Sequence, residues 1–367
     1  MEDLAVKPSF GNVFFGNTVF VTGHTGFKGA WLSLWLHSLG AKVVGFARVP
    51  DTQPSLFEQL GLARLIDSRI GDVRDAALVA KIVRETRPQI IFHLAAQPLV
   101  RLSYEQPLET FQTNVLGTAN VLDAARKTDS VRVCQVITTD KCYENLERDY
   151  AYREDDRLGG RDPYSASKAC AELAVSSYRD SFLKASGISV SSVRAGNVIG
   201  GGDWARDRLV PDCVRALAGG RSPKVRNPRS VRPWQHVLEP LSGYLSLASR
   251  QLVEPHRFSG AWNFGPAAKD ALPALKIAEL IVRYWGSSRK VGIKSDPAAP
   301  HEAGLLKLDS SKARKELAWR PVYRVEEALE RTVVWYKAAG ERRFDALDFT
   351  RRQIEEYSAH DRESLAR

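Results

Sequence analysis

Tyr164 and Lys168 stand four residues apart in the segment YSASK, which directly follows Pro163. Because proline is favoured in the first turn of a helix and residues four apart share a helical face, we predict a helix that places the lysine ammonium beside the phenol. A nearby cation favours the phenolate. Lowering a tyrosine pKa from about 10 to about 7 requires roughly 4 kcal/mol, so a second positive group would have to contribute. The pair is suited to taking a proton from a hydroxyl group, although the pattern alone is common.

Thr139, Asp140 and Lys141 form a second group of reactive side chains. They follow the apolar run Val133–Thr138. In an open parallel sheet, active groups lie beyond the carboxyl ends of the strands, which is where this segment falls if the run is a strand. Thr139 can hydrogen-bond a substrate hydroxyl or the phenol of Tyr164. Asp140 and Lys141 are candidates for an acid and a base, and the alternative is a surface ion pair in a loop.

A glycine-rich turn with the spacing Gly23-x-x-Gly26-x-x-Gly29 lies between the run Thr18–Thr22 and a helical pattern. Glycines in such a turn let backbone N–H groups approach a pyrophosphate, and the helix N-terminus adds a positive dipole. A glycine triplet could be merely structural, but its place between strand and helix favours a dinucleotide site. The residues assigned to this site are Gly23, Thr25, Gly26, Phe27, Lys28 and Gly29.

The type of dinucleotide depends on the residue that follows the second strand. An acidic residue about 20 positions after the glycines normally holds the ribose hydroxyls of NAD. Here the run Lys42–Ala47 is followed by Arg48, and no carboxylate occurs before Asp51. Arg48 could accept the 2′-phosphate of NADP or be a solvated surface charge. NAD is favoured, and NADP is left open.

Short apolar runs alternate with helical patterns through the first half of the chain, as in a doubly wound parallel sheet. Trp31 and Trp35, at helical spacing, are expected in the core. The predicted strands are Thr18–Thr22, Lys42–Ala47, Gln89–Ala95, Val133–Thr138 and Ser189–Val193, and the predicted helices include Ala30–Leu39, closed by Gly40, and Ala76–Thr86. We therefore predict an α/β Rossmann fold with a smaller, interwoven C-terminal substrate-binding lobe.

The character of the sequence changes after Gly196, where glycine, proline and arginine become frequent. We expect a dinucleotide-binding domain over residues 1–198, with a return segment near 231–264. The substrate lobe would comprise residues 199–230 and 265–345. The charged residues 346–367 would form an exposed helix or tail.

The composition narrows the classes of function. Lys and Arg number 53 against 43 Asp and Glu, and this net charge of +10 favours anionic partners. No nucleic-acid motif is evident, so a small anionic substrate is expected. The four cysteines form no C-x-x-C pair. This argues against a metal site and against disulfides, and it fits a reducing compartment. Without a signal-peptide pattern or an apolar run near the roughly 20 residues that span a bilayer, a cytoplasmic protein with no membrane contact is expected.

Together these motifs resemble the extended short-chain dehydrogenase/reductase superfamily, in particular its sugar-nucleotide 4,6-dehydratase branch. The segments that carry the resemblance are GHTGFKG at 23–29, PSLFE at 54–58, HLAAQPLVR at 93–101, TTDKCYEN at 138–145, RAGNVIGGGDW at 194–204 and RPWQHV at 232–237. The resemblance covers nearly the whole chain. It implies a lyase that oxidises a nucleotide-diphosphate hexose with bound NAD, removes water and reduces the sugar again. A CDP-linked glucose is the implied substrate, and deoxysugar biosynthesis for surface polysaccharide is the implied pathway.

The resemblance also implies a role for each reactive residue. Tyr164 would take the proton of the C4 hydroxyl while hydride leaves C4 for NAD. Lys141 would then remove the C5 proton, and Asp140 would protonate the departing C6 hydroxyl. Related dTDP-glucose dehydratases carry Asp-Glu where this chain has Asp140-Lys141. A lysine base must be neutral, with a pKa well below about 10.4, and an aspartate acid must have its pKa raised by desolvation.

Further binding residues are carried over from the resemblance, although each could instead be structural. The implied cofactor contacts are Asp72, Val73, Leu94, Ala95, Ala96, Asn114 and Thr138. The implied substrate contacts are Gln97, Arg101, Asn197, Leu209, Arg232, His236 and His301. Arginine suits a diphosphate because it can form paired hydrogen bonds. A homodimer or dimer of dimers is implied, with the segments around Tyr104–Arg126 and Tyr164–Lys184 paired across the axis.

Other functions stay open at this point. A nucleotide-sugar 4-epimerase would share Tyr164, Lys168 and the glycine turn, but it needs no acid–base pair such as Asp140 and Lys141. A 4,6-dehydratase could act on another nucleotide hexose. A non-catalytic NAD-binding scaffold would have no need of a proton relay.

Overall fold

The computed structural model describes residues 9–294 and 304–365, so His301 lies outside the described residues. The strands of the described part are β1 (Thr18–Thr22), β2 (Lys42–Ala47), β3 (Asp67–Ile70), β4 (Ile90–His93), β5 (Val133–Ile137), β6 (Ala151–Tyr152), β7 (Ser189–Ala195), β8 (Asn197–Ile199), β9 (Lys224–Val225), β10 (Val231–His236), β11 (Gly260–Phe264), β12 (Ala271–Pro273), β13 (Gly292–Ile293) and β14 (Lys307–Leu308). Seven of them form one sheet in the order β3-β2-β1-β4-β5-β7-β11, with every neighbouring pair parallel.

The strand order of this sheet reverses between β1 and β4, which confirms the predicted doubly wound α/β fold. Ligands of such sheets bind in the crevice beyond the carboxyl ends of the strands at this point. The predicted strand Gln89–Ala95 is longer than β4. Its end differs because the N–H of Ala95 turns to the hydroxyl of Thr22, at 3.1 Å, instead of continuing the ladder.

The helices flank the sheet. They are α1 (Phe27–Ser38), α2 (Leu56–Gln59), α3 (Ala76–Thr86), α4 (Val100–Glu105), α5 (Pro107–Phe111), α6 (Gly117–Arg126), α7 (Pro163–Tyr178), α8 (Leu209–Ala218), α9 (Leu238–Val253), α10 (Ala274–Trp285), α11 (Ser311–Glu316), α12 (Val325–Ala339) and α13 (Ala346–Leu365). A π-helical segment, Gln112–Leu116, joins α5 to α6.

Two hydrophobic cores cover the two faces of the sheet. Side chains alternate along a strand, so Phe20 of β1 faces one core, with α3, α6 and α7, while Val19 and Val21 face the other, with α1 and α9. Trp31 and Trp35 lie in the second core with at most 2% of their surface exposed, as the sequence predicts. Helix α1 is therefore buried on most of its surface and holds the glycine turn rigidly against the sheet.

A smaller sheet, β12-β10-β8, and the helices α8, α10 and α12 form the structure that follows β7, and β11 returns to the large sheet. The exposed helix or tail expected at the C-terminus is instead partly buried. Tyr357 of α13 packs against Trp35 and Tyr323, with ring centroids 5.8 and 5.1 Å apart, and has no exposed surface. The charged residues of α13 lie on its outer face. Because they dominate the composition of this segment, its inner apolar face is not predicted from the sequence. Among the described residues, no helix is both long and apolar enough to cross a membrane.

Candidate active site

The glycine turn between β1 and α1 leaves no room for a side chain at Gly23 or Gly29. A Cβ on Gly23, whose φ is +79°, would lie 2.7 Å from the N of Ala95, and one on Gly29 would lie 2.1 Å from the O of Gly23. Gly26 is extended, exposed and occupies the N-cap position of α1, where it has no side chain to accept hydrogen bonds from the first turn. The helix N-terminus is thus open to an anion, and the cradle fits the pyrophosphate of a dinucleotide.

Charged side chains lie near the ends of β2 and β3. The guanidinium of Arg48 is 3.0 Å from the carboxylate of Glu109, and that of Arg74 is 2.6 Å from Asp72 and 3.5 Å from Glu109. The hydroxyl of Thr25 in the glycine turn donates to the O of Arg48 at 2.9 Å. Arg48 is therefore paired with the carboxylate of Glu109 rather than left as an isolated cation.

Asn114 and Gln97 form a buried amide pair beside the carboxyl end of β4. The N–H of Gln97 donates to Oδ1 of Asn114 at 2.9 Å, and Nδ2 of Asn114 donates to the hydroxyl of Ser167 in α7 at 2.9 Å. The side-chain amide of Gln97 is bound to Thr110 and to the N–H of Leu99. Both residues are near the cleft, but their polar groups are engaged within the protein. The predicted contacts Leu94, Ala95 and Ala96 lie directly after β4.

Thr139, Asp140 and Lys141 begin a short 3-10 turn at the carboxyl end of β5. The hydroxyl of Thr139 donates to Oδ1 of Asp140 at 3.0 Å and accepts the N–H of Lys141 at 3.3 Å. Asp140 is 2% exposed, and its Oδ2 has no hydrogen-bond partner among the described residues. Burial raises the pKa of Asp140, against the lowering effects of Lys141, Thr139 and Arg232. A raised pKa favours the protonated carboxyl group, which has an oxygen without a hydrogen-bond partner among the described residues and could serve as a proton donor.

Helix α7 carries Tyr164 and Lys168. Its N-terminus is capped by Asp162, whose Oδ1 accepts the N–H of Ser165 at 2.9 Å, and Pro163 is its first residue, as predicted. Nζ of Lys141 lies over the Tyr164 ring, 6.0 Å from its centroid. The structure therefore brings the tyrosine of α7 and the segment after β5 into one cleft.

The electrostatics of Tyr164 differ from the simple expectation that Lys168 favours phenolate. Burial raises the pKa of Tyr164 to about 12, although the hydroxyl of Thr139 and the charge of Arg208 lower it. Burial also lowers the pKa of Lys168 to about 8, and Nζ donates to the O of Ile137 at 3.3 Å. The protein alone thus keeps the phenol of Tyr164 protonated near pH 7. A further positive charge is needed to stabilise the phenolate.

Lys28, which is predicted from the glycine turn, and Arg208, which is not predicted, both add positive charge to the cleft. Nζ of Lys28 donates to the hydroxyl of Tyr244 at 3.0 Å, and burial with the charges of Lys168 and Arg208 lowers its pKa to about 7. Arg208, which is 2.9 Å from Asp203 and 34% exposed, precedes α8. Leu209 is predicted in place of Arg208, because the side chain of Arg208 is not recognisable as part of the cleft before the fold is known.

The predicted substrate contacts fall in different places. Arg232 is 7% exposed, donates to the O of Val231 at 2.9 Å and is close enough to Asp140 to lower its pKa. Asn197 pairs with Trp234 in the ladder of β8 and β10. His236 has no exposed surface and packs between the rings of Trp31 and Tyr323, so in this structure it is a core residue. Arg101 lies on α4, and Leu209 begins α8.

Known proteins match this chain over most of its length. The sequence profile described as GDP-mannose 4,6 dehydratase matches residues 20–332. A CDP-glucose 4,6-dehydratase of Salmonella typhimurium is 49% identical over 94% of this chain and 97% of its own. A dTDP-glucose 4,6-dehydratase of Xanthomonas campestris is 29% identical over 87% of this chain and 93% of its own.

Solved structures match at lower identity. A UDP-glucose 4-epimerase of Thermotoga maritima has a TM-score of 0.77 and 21% identity, with 88% of this chain and 100% of that chain covered. A dTDP-glucose 4,6-dehydratase of Bacillus anthracis in complex with NAD has a TM-score of 0.73 and 21% identity, with 89% and 98% covered. At this identity the structures establish the shared fold.

Proposed function

Because this chain belongs to the GDP-mannose 4,6-dehydratase family, we propose that it is a hydro-lyase that converts CDP-glucose to CDP-4-dehydro-6-deoxyglucose and water. The choice of CDP-glucose is supported by the 49% identity to the Salmonella CDP-glucose enzyme across almost the whole of both chains. The observation that carries the reaction type is the position of Lys141 over the ring of Tyr164, next to the buried acid Asp140. Such a pair serves elimination, which an epimerase does not perform.

The first chemical task is proton removal from the sugar C4 hydroxyl. Bound in the glycine cradle, NAD would supply the acceptor for the C4 hydride and its donor to C6. Tyr164 takes the hydroxyl proton, and the neighbouring hydroxyl of Thr139 lowers the pKa of the phenol. Because burial raises that pKa to about 12, positive charge near the phenol sets how readily the proton moves. Arg208 provides part of this charge.

The second task is loss of water across C5 and C6. A ketone at C4 acidifies the C5 proton, and Lys141 is assigned to accept it, which requires that its ammonium group has first released a proton. The C6–O bond breaks as Asp140 donates its proton to the departing hydroxyl, which leaves as water. When hydride is returned to C6, the proton held by Lys141 goes back to C5, which completes the 4-keto-6-deoxy product. Oδ2 of Asp140, without a partner among the described residues, is the oxygen available for this transfer.

We propose NAD rather than NADP as the cofactor. The support lies in the charges around Arg48, the residue that could bind a 2′-phosphate. Glu109 pairs with it at 3.0 Å, and Asp72 is near enough for Arg48 to lower its pKa. A 2′-phosphate would have to displace one carboxylate and approach another.

The substrate's nucleotide diphosphate is assigned to residues 199–230 and 265–345, with 231–264 as a return segment of the first domain. Arg208 supports this assignment, because it puts positive charge near Tyr164. Arg232, in the return segment, adds positive charge near Asp140. The four cysteines are free thiols, which supports a cytoplasmic location. The product suits deoxysugar biosynthesis.

We also propose a homodimer. Leu108, Phe111, Leu116 and Leu173 are large apolar side chains with 78%, 36%, 58% and 60% of their surface exposed. They lie on α5, the π-helical segment and α7, which pack against one another. A shared apolar face of this kind fits a second copy of the chain.

The function is tested by incubating the protein and NAD with CDP-, dTDP-, GDP- and UDP-linked glucose. We expect a 4-keto-6-deoxy product, detected by its ultraviolet absorbance in base and by a mass loss of one water, from CDP-glucose. Product from another nucleotide alone would correct the substrate. Inversion at C4 without loss of water would identify an epimerase, and NAD binding without turnover of any sugar would identify a scaffold.

A further inference from the structure

Glu172 lies one helical turn beyond Lys168 on α7 and is 4% exposed. Its carboxylate accepts hydrogen bonds from Nε and Nη2 of Arg194 at 3.0 and 2.7 Å and from the hydroxyl of Ser192 at 2.6 Å. The hydroxyl of Thr138 also donates to it. These donors belong to β7 and to the end of β5. The carboxylate therefore connects α7 to the end of β5, directly before the residues Thr139, Asp140 and Lys141.

Arg194 extends this network to the other side of that segment. Its Nη1 donates to the hydroxyl of Tyr143 at 2.7 Å, and that hydroxyl donates to Oδ1 of Asn263 in β11 at 2.8 Å. Arg194 is 3% exposed. Replacing a buried ion pair by apolar residues is often neutral or stabilising, so stability alone gives no reason for two buried charges at this place.

We propose that Glu172 is a positioning residue of the proton relay, whose carboxylate keeps the ammonium of Lys168 charged while it clamps α7 to the end of β5. Residues four apart on one helix are neighbours. Both side chains are at most 6% exposed, where water screens their interaction weakly. The inference rests on the proposed function, in which Tyr164, four residues before Lys168 on the same helix, transfers a proton.

The other titratable groups around Lys168 do not supply this negative charge. Burial lowers the pKa of His93 to about 3 and raises that of the Cys142 thiol, so both are neutral near pH 7. Lys28, whose pKa is lowered to about 7 by burial, is either positively charged or neutral and therefore supplies no negative charge. Among the groups that raise the pKa of Lys168, the carboxylate of Glu172 has the largest effect. The lowering of this pKa by burial is larger still.

The test measures the titration of Lys168 directly and then its effect on turnover. The full-length protein is pulse-labelled with acetic anhydride over a pH series, and acetylation of Lys168 is read by peptide mass spectrometry. Since only the neutral amine reacts, the midpoint of the curve reports the Lys168 pKa. For Glu172→Gln we expect the midpoint to fall by about one pH unit or more, together with the alkaline limb of CDP-glucose turnover.

Two further variants separate charge from packing. Ser192→Ala removes a hydrogen bond to the Glu172 carboxylate but keeps its charge, so the midpoint should stay at the wild-type value. Because Glu172→Gln leaves Arg194 buried without its partner, the double variant Glu172→Gln/Arg194→Met is made as well and should show the same downward shift. An unchanged midpoint in the double variant, or an equal shift in Ser192→Ala, would overturn the proposal. Absence of wild-type turnover would count against the dehydratase function, and the acetylation curve would still decide the role of Glu172.

Discussion

The ammonium nitrogen of Lys141 lies 6.0 Å from the centroid of the Tyr164 ring, although the two residues come from different elements. Lys141 follows β5, and Tyr164 is in the first turn of α7. A base for the C4 hydroxyl and a base for the C5 proton must serve adjacent carbons of one sugar. The separation of these two side chains suits that task, and it suggests that the two proton transfers can be stalled separately.

Replacing Lys141 with Ala should stop the reaction after the first oxidation. Tyr164 and the cofactor cradle are unchanged, so CDP-glucose should still reduce NAD, and without a C5 base the reduced cofactor should persist. The expected signal is a lasting near-ultraviolet absorbance of reduced nicotinamide, with product formation lowered by about 10²–10⁴-fold. The exposed lysine variant Lys276→Ala in α10 serves as the control and should behave as wild type. Full product from Lys141→Ala would require a different base.

Replacing Tyr164 with Phe should block the earlier transfer. Loss of a positioned general base lowers the rate by about 10²–10⁴-fold, while the glycine cradle and therefore NAD affinity stay nearly unchanged. No reduced nicotinamide should accumulate on addition of CDP-glucose, in contrast to Lys141→Ala. Stopped-flow absorbance and NAD titration measure both quantities. A Tyr164→Phe protein that still reduced NAD would remove the tyrosine from its assigned role.

The elements that carry these residues are predictable because their patterns are local. The strands β1 and β2 and the helix α3 match their predicted bounds, since each depends on an apolar run or a helical period within a few residues. The glycine turn and the start of α7 are marked by neighbouring glycine and proline. Sequence-local signals thus predict that the candidate residues follow β5 and begin α7, where the structure has them.

The surroundings of the site are less predictable because they join distant segments. Arg208 approaches Tyr164, and Arg194 pairs with Glu172, only when the chain has folded. His236 follows an arginine-rich segment and looks like a substrate contact, yet the packing of α1 and the loop before α12 around it makes it a core residue. The pKa shift of a buried group depends on such packing, so residue spacing alone does not predict whether the pKa is raised or lowered.

Removing the carboxylate beside Arg48 should relax the choice of cofactor. In Glu109→Gln the arginine loses its 3.0 Å partner and becomes available to a 2′-phosphate. Exposed ion pairs contribute at most about 1 kcal/mol, so we expect NADP affinity to rise by roughly two- to fivefold and NAD affinity to change little. Glu85→Gln, which removes a comparable pair with Arg69, is the control. Equal NADP binding in wild type and Glu109→Gln would show that Glu109 does not discriminate.

Charge on the apolar face of α5 and α7 should prevent dimer formation. Leu108 and Leu173 are 78% and 60% exposed, so aspartate at both positions should leave the fold intact while it places four carboxylates in the interface of a symmetric dimer. Light scattering should give the mass of a dimer for wild type and of a monomer for the double variant. Val253→Asp, at a 72% exposed site on α9, should remain dimeric. A monomeric wild type would exclude the dimer.

The buried carboxyl of Glu239 should make stability fall as the pH rises from about 5 to about 8. Glu239 has no exposed surface, and its carboxyl group accepts hydrogen bonds from the N–H groups of Val322 and Tyr323 and from the hydroxyl of Tyr357. Burial raises its pKa from 4.5 to about 8. Between these two values the folded protein holds a proton that the unfolded chain has released, so unfolding is favoured as the pH increases. Above about pH 8 both states are ionised at this residue, and its contribution levels off.

Thermal unfolding over this pH range, with Glu239→Gln as the variant, measures the effect. Glutamine keeps the acceptor oxygen and cannot ionise, so the midpoint of unfolding of Glu239→Gln should rise relative to wild type as the pH approaches 8 and should gain little near pH 5. Glu279→Gln, at an exposed position of α10, should follow wild type at every pH. Because Tyr357 belongs to α13, limited proteolysis should also release that helix more readily from wild type near pH 8 than near pH 5. Parallel pH profiles for wild type and Glu239→Gln would mean that Glu239 keeps the same ionisation in the folded and unfolded protein.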